Sequence, residues 1–180
     1  NIGDATMMNA AILKSADTHP LTWRLDHLGS APLDLETYES LEGFAGLRRA
    51  ITEMNPQSVQ TLVKDANLRG RGGAGFPAGV KWSLVPMGEN ASKQKYLICN
   101  ADEMEPGTFK DRLLMEQLPH ELIESMILVG YALQVSKAYI FLRGEYVLSA
   151  ERLNRAIEEA KAAGYLNENI LGSGWGMELH

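Results

Sequence analysis

Two short apolar segments with a long helical segment between them constrain the fold of this chain most strongly. "KYLICNAD" (Lys95 to Asp102) and "AYIFLRGE" (Ala138 to Glu145) have the length and the polar boundaries of buried strands. The intervening "HELIESMILVGYALQ" follows Pro119, a residue that suits the first position of a helix. A strand, a helix and a strand in this order predict a right-handed crossover between parallel strands. We therefore expect an α/β fold in which helices flank a parallel sheet.

Two further helices are predicted before the first strand. Apolar residues recur there at spacings of three and four, which is typical of an amphipathic helix; they are Leu41, Phe44, Leu47, Ile51 and Met54. Asn55-Pro56 ends this helix and begins the next, because Asn is a good cap and Pro suits the first helical position. Pro77 similarly predicts a short helix after the glycine-rich segment.

The last part of the chain contains one more helix and the beginning of a strand. Leu148, Leu153, Ile157 and Ala160 give the helix an apolar face, and Gly164 is its expected stop. Met177 to His180 has the pattern of a strand that is just starting. We expect residues 1–34 to form an N-terminal arm and residues 35–180 an α/β domain that is truncated at its C-terminal end.

Composition excludes several classes of function. The formal net charge of -6 and the pI near 5.2 argue against nucleic-acid binding, which depends on clustered Lys and Arg. The single cysteine, Cys99, excludes an internal disulfide, a CxxC pair and a self-contained iron-sulfur site, and it favours a reducing compartment. No segment approaches the ~20 apolar residues of a membrane span, so we expect no membrane insertion.

The segment "LRGRGGAGFPAG" (Leu68 to Gly79) contains five glycines. Gly70, Gly72 and Gly75 match GxGxxG, but the dinucleotide fingerprint follows a strand, whereas a helix is predicted before Gly70. A phosphate-binding Walker loop is excluded because Phe76-Pro77 stands where Lys-Ser/Thr is required. Successive backbone N–H groups in such a loop can still form an anion-binding concavity, with Arg71 and Lys81 as cations. The alternative is a tight structural turn whose cations are solvated.

A second candidate segment is "CNADEMEPGT" (Cys99 to Thr108), at the predicted C-terminal end of the first strand. Ligands of open α/β sheets bind at this end of the strands. Asp102, Glu103 and Glu105 place three carboxylates close together, which is costly unless hydrogen-bond donors or a ligand compensate. An exposed acidic loop, turned by Pro106-Gly107, is the alternative.

Other polar residues are interpreted as structural. The four histidines, His19, His27, His120 and His180, lack the spacing of metal ligands. Cys99 is interpreted as a small core residue because it lies in an apolar run. "LRGEY" (Leu142 to Tyr146) ends the second predicted strand and is a weak site candidate with an Arg-Glu pair.

Taken together, "LRGRGGAGFPAGVKWS", "YLICNADEMEPGTFKDRLLMEQLPHELIE" and "AYIFLRGEY" resemble the NADH-binding flavoprotein subunit of bacterial respiratory complex I, the NADH:quinone oxidoreductase. The resemblance extends from about Thr18 to His180. Related subunits occur in NAD-reducing hydrogenases and NAD-dependent formate dehydrogenases. The resemblance implies a Rossmann-like α/β domain that binds FMN, accepts a hydride from NADH and passes electrons singly to iron-sulfur clusters.

The resemblance also implies roles for individual residues. The flavin and its phosphate would be wrapped by the glycine loop, namely Gly70, Arg71, Gly72, Gly73 and Gly75. The flavin site would be completed by Lys81, Asn100 and Asp102. Phe76 would stack on the adenine of the dinucleotide, and Glu103 and Glu105 would line the nicotinamide pocket. Hydride transfer needs positioning rather than a general acid or base, so no catalytic side chain and no metal ligand are expected.

Two departures from the family pattern matter. Leu84 stands where many members have a second aromatic residue near the adenine. The family also continues beyond the equivalent of His180 with a second glycine-rich segment, a ubiquitin-like domain and a four-cysteine cluster domain. The implied partners are other subunits of the peripheral arm, especially the small [2Fe-2S] subunit, on the cytoplasmic side of the bacterial inner membrane.

Two alternatives remain open at this point. A stand-alone nucleotide- or flavin-binding module would perform no electron transfer, and a structural assembly protein would bind no ligand. A coding sequence that continues into a cysteine-rich region favours the redox subunit, whereas a stop codon after His180 favours the stand-alone module. Substitution of Lys81 by Ala and of Glu105 by Gln should leave every ligand interaction unchanged in a structural protein.

We expect the isolated chain to oxidise NADH weakly or not at all, because one cysteine cannot hold a cluster and no electron acceptor lies beyond the flavin. Steady-state NADH oxidation with an artificial acceptor measures this directly. Rapid turnover would contradict the expectation.

Overall fold

A computed structural model describes residues 22–28, 31–89 and 91–180 of the protein. Its helices are α1 (Leu35–Ser40), α2 (Ala45–Glu53), α3 (Pro56–Asp65), α4 (Ala78–Ser83), α5 (Lys110–Gln117), α6 (Pro119–Leu133) and α7 (Val147–Ala162). Its strands are β1 (Tyr96–Ala101), β2 (Lys137–Leu142) and β3 (Glu178–Leu179), and short 3-10 helices span Trp23–His27 and Ile170–Gly172. Within the described residues, no helix combines the length and apolar character needed to cross a membrane.

The three strands form one parallel sheet in the order β1-β2-β3. β1 and β2 are paired along their whole length, from Tyr96 opposite Lys137 to Ala101 opposite Leu142. β3 pairs with the start of β2, and the His180 N–H continues the ladder by donating to the Ala138 carbonyl at 2.9 Å. The predicted α/β class, the parallel pairing and the strand at the end of the chain are thereby confirmed.

Helices cover one face of the sheet. α5 and α6 connect β1 to β2. α6 packs against α7, α5 and α3, and α3 packs in turn against α4. The core between these helices is apolar and includes the fully buried Ile123, Ile127 and Ala160. Burial of such side chains is the main favourable contribution to folding.

The prediction that β1 and β2 are buried strands is wrong for one of their two faces. Leu97, Cys99 and Ile140 pack against the core, but Ile98 is 67% exposed and Phe141 61% exposed. Side chains alternate between the two faces of a strand, so the described helices cover only every second residue. The apolar residues on both faces concealed this alternation in the sequence.

The first predicted helix begins later than its apolar pattern indicates. α2 starts at Ala45, because Glu42 and Phe44 adopt positive φ angles of 63° and 57°. The Glu124 carboxylate of α6 accepts hydrogen bonds from the Phe44 N–H at 2.8 Å, the Leu47 N–H at 3.2 Å and the Tyr38 hydroxyl at 2.6 Å. These long-range bonds stabilise a turn before α2 in place of a continuous helix.

The other helix boundaries confirm the sequence signals. The Asn55 side chain caps α3 by accepting from the Ser58 N–H at 2.8 Å, and Pro56 is the first helical residue. Pro119 opens α6, and α7 ends just before Gly164, whose φ is 82°. Pro77 immediately precedes α4, one position earlier than predicted.

The predicted arm lies largely outside the described residues, as does His19. Asp34, its last residue, caps α1 by accepting from the Thr37 N–H at 2.8 Å. The division at residues 34 and 35 stays a prediction.

His120 joins two helices inside the protein. Its side chain is 2% exposed, and its Nε2 lies 2.9 Å from a Glu159 carboxylate oxygen on α7. Its Nδ1 has no hydrogen-bond partner in the described part of the chain. A neutral ring that donates from Nε2 fits both observations, and burial lowers the pKa of His120 below its usual 6.5 although Glu159 opposes the shift.

The free energy of unfolding should therefore fall as the pH is lowered through about 6.5, because the unfolded chain takes up a proton that buried His120 does not. The loss is at most about 1.4 kcal/mol per unit by which the pKa is lowered. Urea denaturation from about pH 8 to about pH 5 measures it. In His120→Gln, the free energy of unfolding should depend less steeply on pH. Equal slopes against pH for the two proteins would contradict the assignment of a neutral, buried His120.

Candidate functional site

The glycine-rich segment forms a closed loop between α3 and α4. The Gly70 N–H donates to the Phe76 carbonyl at 2.9 Å, and the Ala78 N–H donates to the Leu68 carbonyl at 2.7 Å. The Arg69 guanidinium donates across the loop to the Gly75 carbonyl at 3.1 Å. The segment follows a helix rather than a strand, so the structural context of a dinucleotide fingerprint is not met.

The five glycines of this segment have different structural roles. Gly79 is required for packing, because an added Cβ would lie 2.4 Å from the Lys64 Cα of α3. Gly73 and Gly75 have positive φ angles of 109° and 61°, which side chains disfavour. Gly70 and Gly72 have neither constraint, and a Cβ on Gly72 would meet nothing within 4 Å.

The loop presents donors and cations to solvent. Within the described chain, the main-chain N–H groups from Arg71 to Phe76 donate no hydrogen bond. Arg71 and Lys81 are exposed and form no ion pair with a described residue, and the Phe76 ring is 49% exposed. Consecutive N–H groups beside free cations are suited to binding an anion.

The acidic segment lies where β1 and β2 end together. Asp102 follows β1 and Arg143 follows β2, and the Arg143 Nε lies 3.9 Å from the Asp102 carboxylate. Arg143 also donates to the main-chain carbonyl of Glu103 at 2.8 Å. Parallel pairing thus brings the acidic loop against the segment "RGEY".

Glu103 is buried, and its carboxylate is occupied by other parts of the protein. Its side chain is only 2% exposed, and its two oxygens accept from the Asp111 N–H at 3.0 Å and the Arg112 N–H at 3.1 Å. Because these donors belong to the first turn of α5, Glu103 caps that helix from a distance. Lys110 adds a cation at 3.8 Å.

Asn100, Asp102 and Glu105 remain accessible. The Asn100 side chain is exposed at the end of β1, and its oxygen accepts from the Asp102 N–H at 3.1 Å. Asp102 is half-buried beside Arg143. Glu105 is exposed on a turn that the Thr108 N–H closes by donating to the Glu105 carbonyl at 3.0 Å.

The structure therefore groups the predicted residues into two surfaces. One contains the glycine loop with Phe76 and Lys81, and the other contains Asn100, Asp102, Glu103 and Glu105. Among the residues that the structure describes, no hydrogen bond or ion pair joins the two surfaces. Arg143 was only a weak candidate in the sequence, and its position directly after β2 was the available signal.

Metal ligands, Cys99 and two cavities are further features to consider in the part of the chain described. No group of three His, Cys, Asp or Glu residues there could hold a metal ion. Cys99 packs against the core, and burial raises the pKa of its thiol, which agrees with a structural role. Cavities of about 420 Å³ beside His120 and about 530 Å³ beside Met177 include no residue of either surface in their walls.

Glu103→Gln and Glu105→Gln form a matched pair that tests the buried cap. Glu103→Gln should lower the free energy of unfolding by about 1–2 kcal/mol. The NH2 group of the amide replaces one of the two acceptor oxygens, and the negative charge at the N-terminus of α5 is lost. Glu105→Gln should change it by less than about 0.5 kcal/mol, as expected for an exposed side chain. Urea denaturation of both variants measures the difference. Equal effects would show that Glu103 does not cap α5.

Known proteins are similar to most of this chain. Residues 63–179 match the family model described as the Nuo51 FMN-binding domain. The F subunit of the NADH-quinone oxidoreductase of Escherichia coli (strain K12) is 54% identical over 168 residues, which are 93% of this chain and 37% of that protein. The F subunit of the NADH-quinone oxidoreductase of Streptomyces coelicolor is 50% identical over 145 residues, 81% of this chain and 32% of that protein.

A solved structure is also similar. The NAD+-reducing [NiFe]-hydrogenase in its H2-reduced state superposes with a TM-score of 0.65 at 33% identity, covering 98% of this chain and 30% of that chain. The chain thus spans little more than a third of the E. coli relative. Since the family model matches more than half of this chain, the chain belongs to the family of Nuo51 FMN-binding domains, as the sequence resemblance predicted.

Proposed function

We propose that this chain is the FMN- and NADH-binding part of an NADH:quinone oxidoreductase. The observation that supports this most directly is the glycine loop, whose N–H groups from Arg71 to Phe76 are free within the described chain. Membership of the FMN-binding family makes a flavin phosphate the natural anion for these donors. FMN, when bound, supplies the chemistry of accepting a hydride from NADH and releasing electrons one at a time.

The loop fits a flat phosphorylated cofactor on steric grounds. Gly72 has open space around it and no unusual φ, so folding alone does not require glycine there. A backbone without a side chain is required where a ligand lies against it. Gly70, Gly72, Gly73 and Gly75 would cover the flavin and its phosphate, and Arg71 and Lys81 would provide positive charge.

The acidic surface would supply the remaining contacts. Asn100, which is exposed, and Asp102, which is half-buried, would complete the flavin site at the end of β1. The exposed Glu105 carboxylate would line the nicotinamide pocket, and its charge would repel the additional phosphate of NADPH. The buried carboxylate of Glu103 would contribute by fixing the loop, since its oxygens already cap α5.

Phe76 is suited to the adenine of the dinucleotide. Its ring is about half exposed beside the glycine loop, so it can stack on a base without unfolding its surroundings. Leu84 is 73% exposed and would give a second, apolar contact in place of an aromatic one.

A diaphorase subunit of an NAD-reducing hydrogenase is the second candidate. The structural similarity to the NAD+-reducing hydrogenase favours it, but 33% identity is well below the 54% shared with the quinone oxidoreductase relative of E. coli. The quinone enzyme is therefore preferred. Under this proposal the chain works with other peripheral-arm subunits, especially the small [2Fe-2S] subunit, on the cytoplasmic side of the bacterial inner membrane, and clusters in the remainder of the polypeptide accept the electrons.

An FMN titration followed by flavin fluorescence tests the proposed site. Lys81→Ala should weaken FMN binding about tenfold to a hundredfold, because a charge-assisted contact to phosphate is lost. Gly72→Ala should also weaken binding while leaving the free energy of unfolding nearly unchanged, since its methyl group meets only solvent in the folded chain.

Lys93→Ala is the matched control, because Lys93 is an exposed lysine outside both surfaces. The full-length gene product and the 180-residue chain should be titrated in parallel. Binding by the full-length protein alone would show that the chain is an incomplete half of the site. Failure of the full-length protein to bind FMN, or equal binding by all variants, would contradict the proposal.

A further inference from the structure

We propose that Arg143 is a positioning residue for NADH oxidation, acting through Glu103 to fix where the Asp102 and Glu105 carboxylates are presented. The inference rests on the proposed function. It assigns a role to the segment "RGEY" after β2, which the proposed cofactor contacts leave without one.

The first step is the hydrogen bonding of the Glu103 main chain. The Arg143 guanidinium donates to the Glu103 carbonyl at 2.8 Å, and the Tyr146 hydroxyl lies 3.5 Å from the same oxygen. Since the Glu103 carboxylate is held by α5, both polar ends of this residue are fixed. The acidic loop is thus attached to α5 on one side and to the end of β2 on the other.

The second step concerns the rigidity of the attachment. The Arg143 and Arg112 guanidinium groups lie 5.8 and 5.7 Å from the centre of the Tyr146 ring, within the range of cation–π attraction. Arg112 belongs to α5, so the ring links that helix to the segment that holds the loop. The Arg143 side chain is 27% exposed, and this partial burial limits its alternatives.

The third step is electrostatic. Arg143 lies 3.9 Å from the Asp102 carboxylate and 3.3 Å from that of Glu145. A positive charge among carboxylates lowers the repulsion between them, so Asp102 and Glu105 are accommodated in one short loop. Without Arg143, the loop loses both the bond to Glu103 and this compensation, so Glu105 would occupy a wider range of positions.

The test uses the full-length gene product loaded with FMN and an artificial electron acceptor. At equal FMN occupancy, Arg143→Met should raise the KM for NADH about tenfold, the equivalent of one charged hydrogen bond, with a smaller change in kcat. Arg143→Lys should have a KM between those of the wild type and Arg143→Met. Lysine restores the positive charge, but it lacks the planar guanidinium group that contacts both Glu103 and Glu145. A general loss of stability would not produce this pattern at equal occupancy.

Arg49→Met is the control, because Arg49 forms an exposed pair with Glu53 at 3.6 Å on α2. If Arg143→Met does not fold, Tyr146→Phe provides the test. It should raise the KM for NADH about twofold to threefold, because it removes only the two 3.5 Å contacts of the hydroxyl group with Glu103. If the wild-type protein binds FMN and oxidises NADH but the variants that fold have an unchanged KM for NADH, the inference is overturned and the proposed function is not. A wild-type protein that does not bind FMN overturns the proposed function as well.

Discussion

The in-register pairing of β1 with β2 is the constraint on which the candidate site depends. Because Ala101 stands opposite Leu142, the residues that follow the two strands, Asp102 and Arg143, emerge side by side. Parallel strands can be joined only by a long crossover, which here consists of α5 and α6. The crossover begins next to the acidic loop that follows β1. The N–H groups in the first turn of α5 can therefore donate to the Glu103 carboxylate. A shift of one residue would separate these partners and turn the buried face of each strand outward.

Burying a carboxylate such as Glu103 is costly, and the way the protein compensates has a consequence for function. Two backbone N–H groups and the positive end of α5 replace the water that Glu103 loses. Its charge is thus used inside the protein, while Glu105, two residues later, remains in solvent. The dense acidic cluster of the sequence is in this way divided into one carboxylate that fixes the loop and two that remain accessible. Like charges at such close spacing are tolerated because they have different surroundings.

Local signals in the sequence predicted most of the fold. Asn55-Pro56, Pro119 and Gly164 act through the conformations and hydrogen bonds of nearby residues, and their predicted roles are confirmed. Long-range contacts were not predictable in this way. The apolar pattern from Leu41 to Met54 predicts one continuous helix, but hydrogen bonds to Glu124 hold a turn within it. The residues that donate these bonds lie about 80 positions from Glu124 in the chain. The roles of Glu103 and Arg143 were missed for the same reason, since neither helix capping at a distance nor a contact between strand ends appears in residue spacing.

The glycines of the loop differ in what they contribute to the folded chain. Glycine weakens a folded state entropically, so each glycine needs a compensating reason. Packing against Lys64 gives that reason for Gly79, and positive φ gives it for Gly73 and Gly75. For Gly72 the described structure contains neither reason, because its φ is not positive and a methyl group there would meet only open space. Under the proposed function, a flavin lying against the backbone would account for glycine at this position. Its phosphate would accept from the N–H groups from Arg71 to Phe76, which donate no hydrogen bond within the described chain.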